Sequence, residues 1–385
     1  MADPSELLER HRPQLRHDSQ DPFHAASALT IVEHPGNKLL GKDGSTIAVA
    51  APERPLDLGM LDGDPAREGE RLDEVGSELE IKQHAVAMQD DARYADRAYG
   101  RAVQRGSKTY LQYWFWFYYN PKDVARRGRH EGDWEMIQLT LEGERPTCAV
   151  YAQHDHAVKR SWDEVPRHPK GNGPHPVVYV AAESHASYFD DGTHPAFGRA
   201  DNAYGDGYEI MPRLEQFGDW AEWRGRWGNS GGIFPWFPWS RGEPPAGRSP
   251  KSPGCQNPKW EDPERFEREA KDGRVKENRL LWRIGTRTYP LKPRIRDVQV
   301  SGTTVRVSYE TPRKLLVPRP RHLLVTVNAP DAKGDVLGRT SEANAPREGT
   351  VTVELTEVPE RGVVRASVFN RARQRSEVAT AELPV

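Results

Sequence analysis

The chain has few cysteines, no long apolar run and no excess of charge of either sign. Its 385 residues include only two cysteines, which excludes a disulfide framework and a cysteine zinc motif and predicts two buried thiols. No stretch of roughly 18 uncharged apolar residues occurs, so we expect no transmembrane segment. The 55 basic and 57 acidic residues nearly balance, which argues against nucleic acid as a partner.

The first segment, MADPSELLERHRPQL, also lacks an apolar stretch of signal-peptide length. We therefore expect a soluble chain that is cytoplasmic, or that is exported by a route independent of a signal peptide. Peripheral contact with a membrane remains compatible with this sequence.

The order of short apolar runs predicts the fold class. Most runs end at clusters of Gly, Pro, Asp or Asn, which is typical of a mainly all-β protein. We expect a central β-sandwich or jelly-roll-like domain over residues 1–285, with peripheral short helices and long loops. Residues 1–100 should form an N-terminal extension packed on it, with short strands and turns from about Thr30 to Pro55. The acidic, Gly-rich stretch 56–80 is expected to be an exposed loop.

Residues 290–385 differ in composition from the rest of the chain. They contain no Trp and no Cys and carry about seven alternating apolar runs, which predicts a fibronectin-III-like or immunoglobulin-like sandwich. The paired cysteines and core Trp of antibody domains are missing. An adhesive or spacing role without chemistry is therefore expected.

The middle of the chain holds all but one of the 11 Trp residues. Here the runs YGRAV and TYLQYWFWFYYN are joined by a short polar loop containing Gly106, which predicts a hairpin. The second run has large apolar residues on both alternating faces. We expect it to be a central strand that is covered on both sides.

Two acidic residues lead into the next strand, in the segment GRHEGDWEMIQLTLE. Because side chains alternate along a strand, Asp133 and Glu135 share a face with an apolar row made of Ile137, Leu139 and Leu141. Ionised carboxylates beside a buried apolar row cost several kcal/mol each unless they are paired or bind a metal.

Two counterparts for these carboxylates are consistent with the sequence. One is a salt-bridge cluster with the basic run directly upstream, Arg126, Arg127 and Arg129. The other is a divalent cation held together with His130. Donors of the Asp, Glu and His type without a thiolate favour Ca²⁺ or Mg²⁺, with Mn²⁺ or Zn²⁺ as further options.

The ends of two later strands also carry His and acidic residues. His154 and His156 follow the run TCAVYAQ, while Glu183 and His185 share a face at the end of HPVVYVAAES. Together with the start of the strand that carries Asp133 and Glu135, these make three strand ends with His and acidic residues. They predict that one rim of the sandwich is the binding site.

The loop IFPWFPW contains Trp236 and Trp239. Aromatic side chains of this kind either pack on the sandwich or offer contact area to an interface or a sugar. Both interpretations remain open from the sequence.

Five motifs in order carry a resemblance to a known family. LQYWFWFYYN, GRHEGDWE, VYAQH, HPVVYVAAESHASYF and GRWG resemble the family named after vacuolar protein sorting-associated protein 62, over roughly Glu9 to Trp260. More distantly, the same order is similar to the necrosis- and ethylene-inducing peptide 1-like proteins. Those are secreted cytolysins with an actinoporin-like β-sandwich and the heptapeptide GHRHDWE.

The second resemblance implies a divalent-cation site that engages a sphingolipid sugar head group. The cation would lie among an Asp after a Pro-Lys pair and the first His, the Asp and the Glu of the heptapeptide. By resemblance these positions are Asp123, His130, Asp133 and Glu135. Gly132 stands where the family has its second His, and the spacing from Asp123 to Asp133 is shorter by one residue. The resemblance therefore implies metal binding without implying cytolysis.

Three hypotheses about function follow from these features. The first is a non-enzymatic protein that recognises a polar lipid head group or a glycan through a divalent cation, with ligand contacts from His154, His156, Glu183, His185, Trp236 and Trp239. The second is a metal-dependent hydrolase in which the cluster activates a water. Its candidate general acids and bases are His154, His185 and Glu131. The third is a scaffold whose acids form a structural ionic cluster.

Overall fold

The computed structural model divides the chain into two compact units. Unit 1 comprises Met1–Asp191 and Ile210–Val275, and unit 2 comprises Gly192–Glu209 and Lys276–Val385. The structure describes residues 3–19, 21–89, 91–121, 130–154, 156–169, 173–194, 201–229, 249–273, 291–312, 322–328, 336–343, 346–355, 361–369, 376 and 379–384. Strands dominate and the helices are few and short, so the mainly all-β fold is confirmed. The predicted domain ranges, 1–285 and 290–385, stay a prediction.

The N-terminal part of unit 1 contains α1 (Pro4–Arg10), β1 (Gln14–His17), α2 (Leu29–Glu33), β2 (Lys38–Leu40), β3 (Thr46–Val49), β4 (Arg71–Asp73) and α3 (Glu78–Gln89). Asp3 caps α1, since its side chain accepts a hydrogen bond from the Ser5 backbone N–H at 3.1 Å. The run LTIV forms α2 instead of the predicted strand. Tertiary packing buries three consecutive residues there and overrides their β propensity.

The chain continues through β5 (Arg97–Arg105), β6 (Lys108–Asn120), β7 (His130–Glu142), β8 (Arg145–Gln153), β9 (His156–Ser161), β10 (Arg167–His168), β11 (His175–Val180), β12 (Ser187–Tyr188), β13 (Gly192–His194), β14 (Asp201–Ala203), β15 (Glu209–Ile210), β16 (Arg213–Gln216), α4 (Pro263–Glu269) and β17 (Lys271–Asp272). Single-turn 3₁₀ helices lie at Leu58–Met60, Pro65–Arg67, Trp162–Glu164, Asp219–Glu222 and Pro253–Cys255. Within the described ranges, no helix combines the length and the apolar character needed to cross a membrane. Cys148 and Cys255 are free thiols, and both are half-buried, whereas the sequence predicted buried thiols.

A seven-stranded sheet with the order β16-β5-β6-β7-β8-β9-β17 forms the centre of unit 1. β5 and β6 form the predicted hairpin, with Gly106 at φ +58° in its turn. β6 lies between β5 and β7, and hydrophobic cores cover both of its faces. The alternation predicted for β7 is also confirmed, because one core contains Ile137, Leu139 and Leu141 and the other contains Trp134 and Met136.

A second sheet completes the sandwich of unit 1. β1 runs parallel to β11, with Gln14 opposite Val177, and β10 and β12 pair antiparallel with β11. One core joins the two sheets and includes Leu15, Val178, Val180, Phe115 and Ile137. The N-terminal segment therefore supplies a strand of the sandwich itself.

The stretch 56–80 is not an exposed loop throughout, in contrast to the prediction. β4 pairs with β2 in a three-stranded sheet with the order β3-β2-β4. Leu56, Leu61 and Leu72 are buried in the core that covers the other face of the central sheet. Acidic residues and glycines around these leucines give the segment a loop-like composition, although its apolar side chains are spaced to reach the core.

Truncation of Leu72 to Ala is expected to destabilise unit 1 by roughly 3 kcal/mol, because it opens a cavity beneath the three-stranded sheet. Leu72 is 0% exposed and Leu79 is 66% exposed, so Leu79→Ala is the matched control, with an expected change within about 0.5 kcal/mol. Urea unfolding followed by Trp fluorescence measures both. Equal and small effects would show that the segment does not contribute to the core.

Unit 2 contains the hairpin β13-β14 and the strands β18 (Arg294–Ser301), β19 (Thr304–Glu310), β20 (His322–Asn328), β21 (Val336–Ala343), β22 (Glu348–Glu354), β23 (Val363–Phe369) and β24 (Ala379–Glu382). A three-stranded sheet, β18-β19-β22, and a four-stranded sheet, β21-β20-β23-β24, share one hydrophobic core. The C-terminal segment is thus a β-sandwich. Its fibronectin-III-like or immunoglobulin-like character stays a prediction.

Candidate functional site

The start of β7 places Asp133 beside a histidine and an amide. His185 Nδ1 lies 3.0 Å from Asp133 Oδ2, and the Asn120 side-chain amide donates to the same oxygen at 2.9 Å. Asp133 pairs across the sheet with Phe117, whose ring stacks on the His185 imidazole with centroids 4.0 Å apart. The structure therefore brings together two of the predicted site residues, Asp133 and His185.

The environment of Asp133 favours its ionised form. Burial alone would raise the pKa of this carboxyl, but the His185 hydrogen bond, the charge of His130 and the Asn120 amide outweigh burial and lower the pKa. The arginines of the alternative salt-bridge prediction, Arg126, Arg127 and Arg129, lie outside the described residues.

A second acid, Asp21, approaches the same imidazole from the opposite side. Asp21 Oδ2 lies 3.5 Å from His185 Nε2, an ion-pair distance without hydrogen-bond geometry. The same oxygen accepts the Glu183 backbone N–H at 2.6 Å, and Asp21 Oδ1 accepts that of Phe23 at 2.9 Å. Burial raises the pKa of Asp21, and the nearby His185 opposes this shift. Sequence reasoning missed Asp21, because only the parallel pairing of β1 with β11 explains how the segment after β1 reaches His185.

The turn between β11 and β12 fixes the backbone around His185. Glu183 and His185 have φ angles of +69° and +53°, values that non-glycine residues rarely adopt. The His185 backbone N–H donates to the Ala181 carbonyl, and the Ala181 N–H donates to the Ala186 carbonyl, each at 3.0 Å. These bonds hold the imidazole between the two acids.

The other predicted cation ligands differ in how the structure places them. Glu135 is buried two positions further along β7. His130 is half-buried, and its Nδ1 lies 2.7 Å from the Gly132 carbonyl, which leaves Nε2 as the ring nitrogen for a cation. Asp123 lies outside the described residues. In the part of the chain that the structure describes, no three His, Cys, Asp or Glu side chains form a group that could hold a metal ion.

Glu131, a candidate general acid or base, belongs to a different acidic pair. Its Oε2 accepts the backbone N–H groups of Glu74 at 2.9 Å and of Asn229 at 2.8 Å. Burial raises the pKa of Glu131 to about 8, and burial together with the Glu131 charge raises that of Glu74 well above its ordinary value. Among the described residues, neither carboxyl oxygen of Glu74 has a hydrogen-bond partner.

The remaining predicted ligand contacts lie elsewhere or are not described. His154 and His156 are exposed at the turn between β8 and β9. Gln153, at the end of β8, donates to the Ser187 carbonyl at 3.1 Å, so this strand end does lie beside β12. Trp236 and Trp239 lie outside the described residues.

No known family model matches the chain, and no curated protein matches it. Similar solved structures include a non-toxic HaNLP3 protein, with 14% identity over 56% of this chain and 76% of that chain and a TM-score of 0.30. Necrosis and Ethylene inducing Protein 2 from the causal agent of cocoa's Witches Broom disease is 14% identical over 57% and 78% of the two chains, with a TM-score of 0.30. NLPPya in complex with glucosamine is 14% identical over 56% and 74%, with a TM-score of 0.27. These structure neighbours are necrosis- and ethylene-inducing toxin-fold proteins, and a likeness this distant carries no conclusion about function.

Proposed function

We propose that unit 1 is a non-enzymatic recognition domain in which a divalent cation at the start of β7 orients a polar lipid head group or a glycan. The observation that carries the proposal is the geometry of Asp133, a buried carboxyl of which one oxygen accepts the Asn120 amide at 2.9 Å and lies 3.0 Å from His185 Nδ1. A buried negative charge needs a positive counterpart, and metal-ligating carboxylates are commonly held by hydrogen bonds of this kind.

The proposed ligands, Asp123, His130, Asp133 and Glu135, suit a hard cation. Three carboxylates and one imidazole without a thiolate favour Ca²⁺ or Mg²⁺ over softer ions. When bound, the cation would supply positive charge for hydroxyl or phosphate oxygens of the ligand. The contribution of the chain is to hold the Asp133 carboxylate in one orientation.

A hydrolase is less well supported by the geometry. A general acid or base must come within about 3 Å of the substrate or of one bridging water, whereas His185 is 0% exposed and lies against the Phe117 ring. Glu131 is also buried, and its Oε2 accepts two backbone N–H groups. Among the three candidates, only His154 is exposed.

Isothermal titration of the full chain with the chlorides of Ca²⁺, Mg²⁺, Mn²⁺ and Zn²⁺ tests the proposal. We expect Asp133→Asn and Glu135→Gln each to weaken binding at least about tenfold, because each removes a ligand charge at nearly constant volume. Asp190→Asn is the matched control, since Asp190 is exposed and pairs with Arg160. A wild type that binds none of the four ions, or equal affinity in all variants, would rule the proposal out.

The ligand is tested with the protein in its cation-bound form. Glucosamine serves as a free-sugar probe, and vesicles with and without a glycosylated sphingolipid separate a glycan from a lipid surface. We expect binding with the cation and none after chelation. Turnover of phosphoester or glycoside substrates that is lost in Asp133→Asn would favour the hydrolase instead.

A further inference from the structure

We infer that Asp21 and His185 form a positioning pair that sets the orientation of Asp133, and with it the cation affinity of the site. This inference rests on the proposed function and assigns a role to Asp21, a residue outside the proposed ligand set.

The imidazole of His185 lies between two buried carboxyl groups. Its Nδ1 is 3.0 Å from Asp133 and its Nε2 is 3.5 Å from Asp21. Asp133 Oδ2 already accepts the Asn120 amide N–H, and a protonated Nδ1 donates to the same oxygen. The imidazole thereby fixes Asp133 Oδ2 and leaves the direction of Oδ1 defined for a ligand.

The ring itself cannot rotate freely. It stacks on Phe117 with an interplanar angle of 3°, and its backbone is held in the left-handed region at φ +53°. Non-glycine residues in this region cost of order 1 kcal/mol or more and persist where the surroundings over-determine them. The geometry thus maintains one orientation of the imidazole at an energetic cost.

Asp21 acts through His185 and is not itself placed as a ligand. Backbone N–H groups of Phe23 and Glu183 donate to its two oxygens, and the Glu183 bond ties the segment after β1 to the turn after β11. Asp21 is therefore held in a fixed position 3.5 Å from Nε2, where its charge acts on the imidazole. Outer partners of this type typically change metal affinity by about 10- to 100-fold.

A double-mutant cycle on the full chain tests the inference, with wild type, Asp21→Asn, His185→Asn and the double variant. Asn suits position 185, because it tolerates positive φ, and its amide is a shorter donor that cannot bridge to Asp21. Each protein is titrated with the divalent chloride that the wild type binds most tightly. We expect each single variant to weaken binding by about 10- to 100-fold. The double variant should bind the cation as tightly as His185→Asn alone, because Asp21 affects the site only through the imidazole.

The His185 ring ¹⁵N shifts give a readout that a purely structural role would not move. In the wild type we expect them to change when the cation is added, and in Asp21→Asn we expect the Nε2 shift to differ from that of the wild type because the neighbouring carboxyl group is gone. His34→Asn is the matched control, since that half-buried ring contacts His84 instead of an acid, and we expect its affinity to equal that of the wild type.

The outcomes separate this inference from the proposed function. The inference would be overturned if Asp21→Asn bound the cation with wild-type affinity. It would also be overturned if the fold-loss of affinity in the double variant equalled the product of the two single losses. Either result would leave the proposed function intact. Lower melting temperatures with unchanged affinity of the folded protein would likewise overturn the inference and leave the proposed function intact. A wild type that binds none of the four cations overturns both.

Discussion

Gly132→Ala is expected to lower the unfolding free energy of unit 1 by more than about 4 kcal/mol, a loss that few single substitutions cause. A Cβ atom at this position would lie 2.1 Å from the Trp227 carbonyl oxygen and 2.4 Å from the Trp116 ring, well inside van der Waals contact. Trp116 and Trp227 are fully buried and contact each other with centroids 5.2 Å apart. Neither has space to move away.

Gly143→Ala separates this packing effect from backbone strain. Gly143 has φ +62° and Gly132 has φ +60°, so both substitutions force a side chain into the left-handed region at about 1 kcal/mol. A Cβ at Gly143 meets nothing within 4 Å. Guanidinium unfolding of both variants measures the difference. A similar cost at the two positions would contradict the packing explanation.

The same contacts account for the glycine between Glu131 and Asp133. Any side chain at this position would collide with Trp116 and the backbone of Trp227. The local packing of unit 1 therefore requires Gly132.

The free energy of unfolding is expected to fall as the pH rises from about 4.5 to about 8. Burial raises the pKa of Glu131 to about 8 from an ordinary value of 4.5, so in this range the folded chain keeps a proton that the unfolded chain has released. The contribution of Glu131 to the free energy of unfolding is fully present below pH 4.5, and it is lost as the pH rises through the pKa of Glu131 in the folded chain. Each such group changes stability by at most about 1.4 kcal/mol per pH unit. Glu74, whose pKa is raised by burial and by Glu131, adds to the same trend.

Glu131→Gln should make the unfolding free energy depend less steeply on pH. It should also stabilise the protein above pH 7 by at least about 2 kcal/mol. The amide oxygen of Gln can still accept the backbone N–H groups of Glu74 and Asn229. Urea unfolding of wild type and variant at pH 5, 6, 7 and 8 measures the difference, and the comparison at each pH cancels the titration of other groups. Glu144→Gln is the control, because Glu144 is exposed and pairs with Arg10. Parallel curves for wild type and Glu131→Gln would show that burial of Glu131 does not control the pH dependence.

Local patterns were sufficient for the central sheet. The alternation in β7 and the two-sided apolar character of β6 predicted strands, faces and burial, because each property is determined by neighbours two positions apart. The helix α2 and the buried leucines of residues 56–80 were not predicted. Their environment is created by elements distant in the sequence, which outweigh local propensity and composition.

The proximity of two candidate site residues was also predictable. Asp133 and His185 lie at the ends of strands that the sequence identifies, so their proximity follows from the sandwich architecture. The separation of Glu131 into a pair with Glu74 was not predictable, because β4 had no strand signal of its own. The cation, the role of Glu135 and the contacts of His154 and His156 stay predictions.

The parallel pairing of Gln14 with Val177 has a consequence for how the chain is assembled. During synthesis β1 leaves the ribosome long before β11 has been made. It therefore stays unpaired until β11 is available. Such distant pairing slows folding, since the intervening loop must close before the contact can form. Until β1 docks, this side of β11 is an open strand edge, the kind of surface on which chaperones and aggregation act.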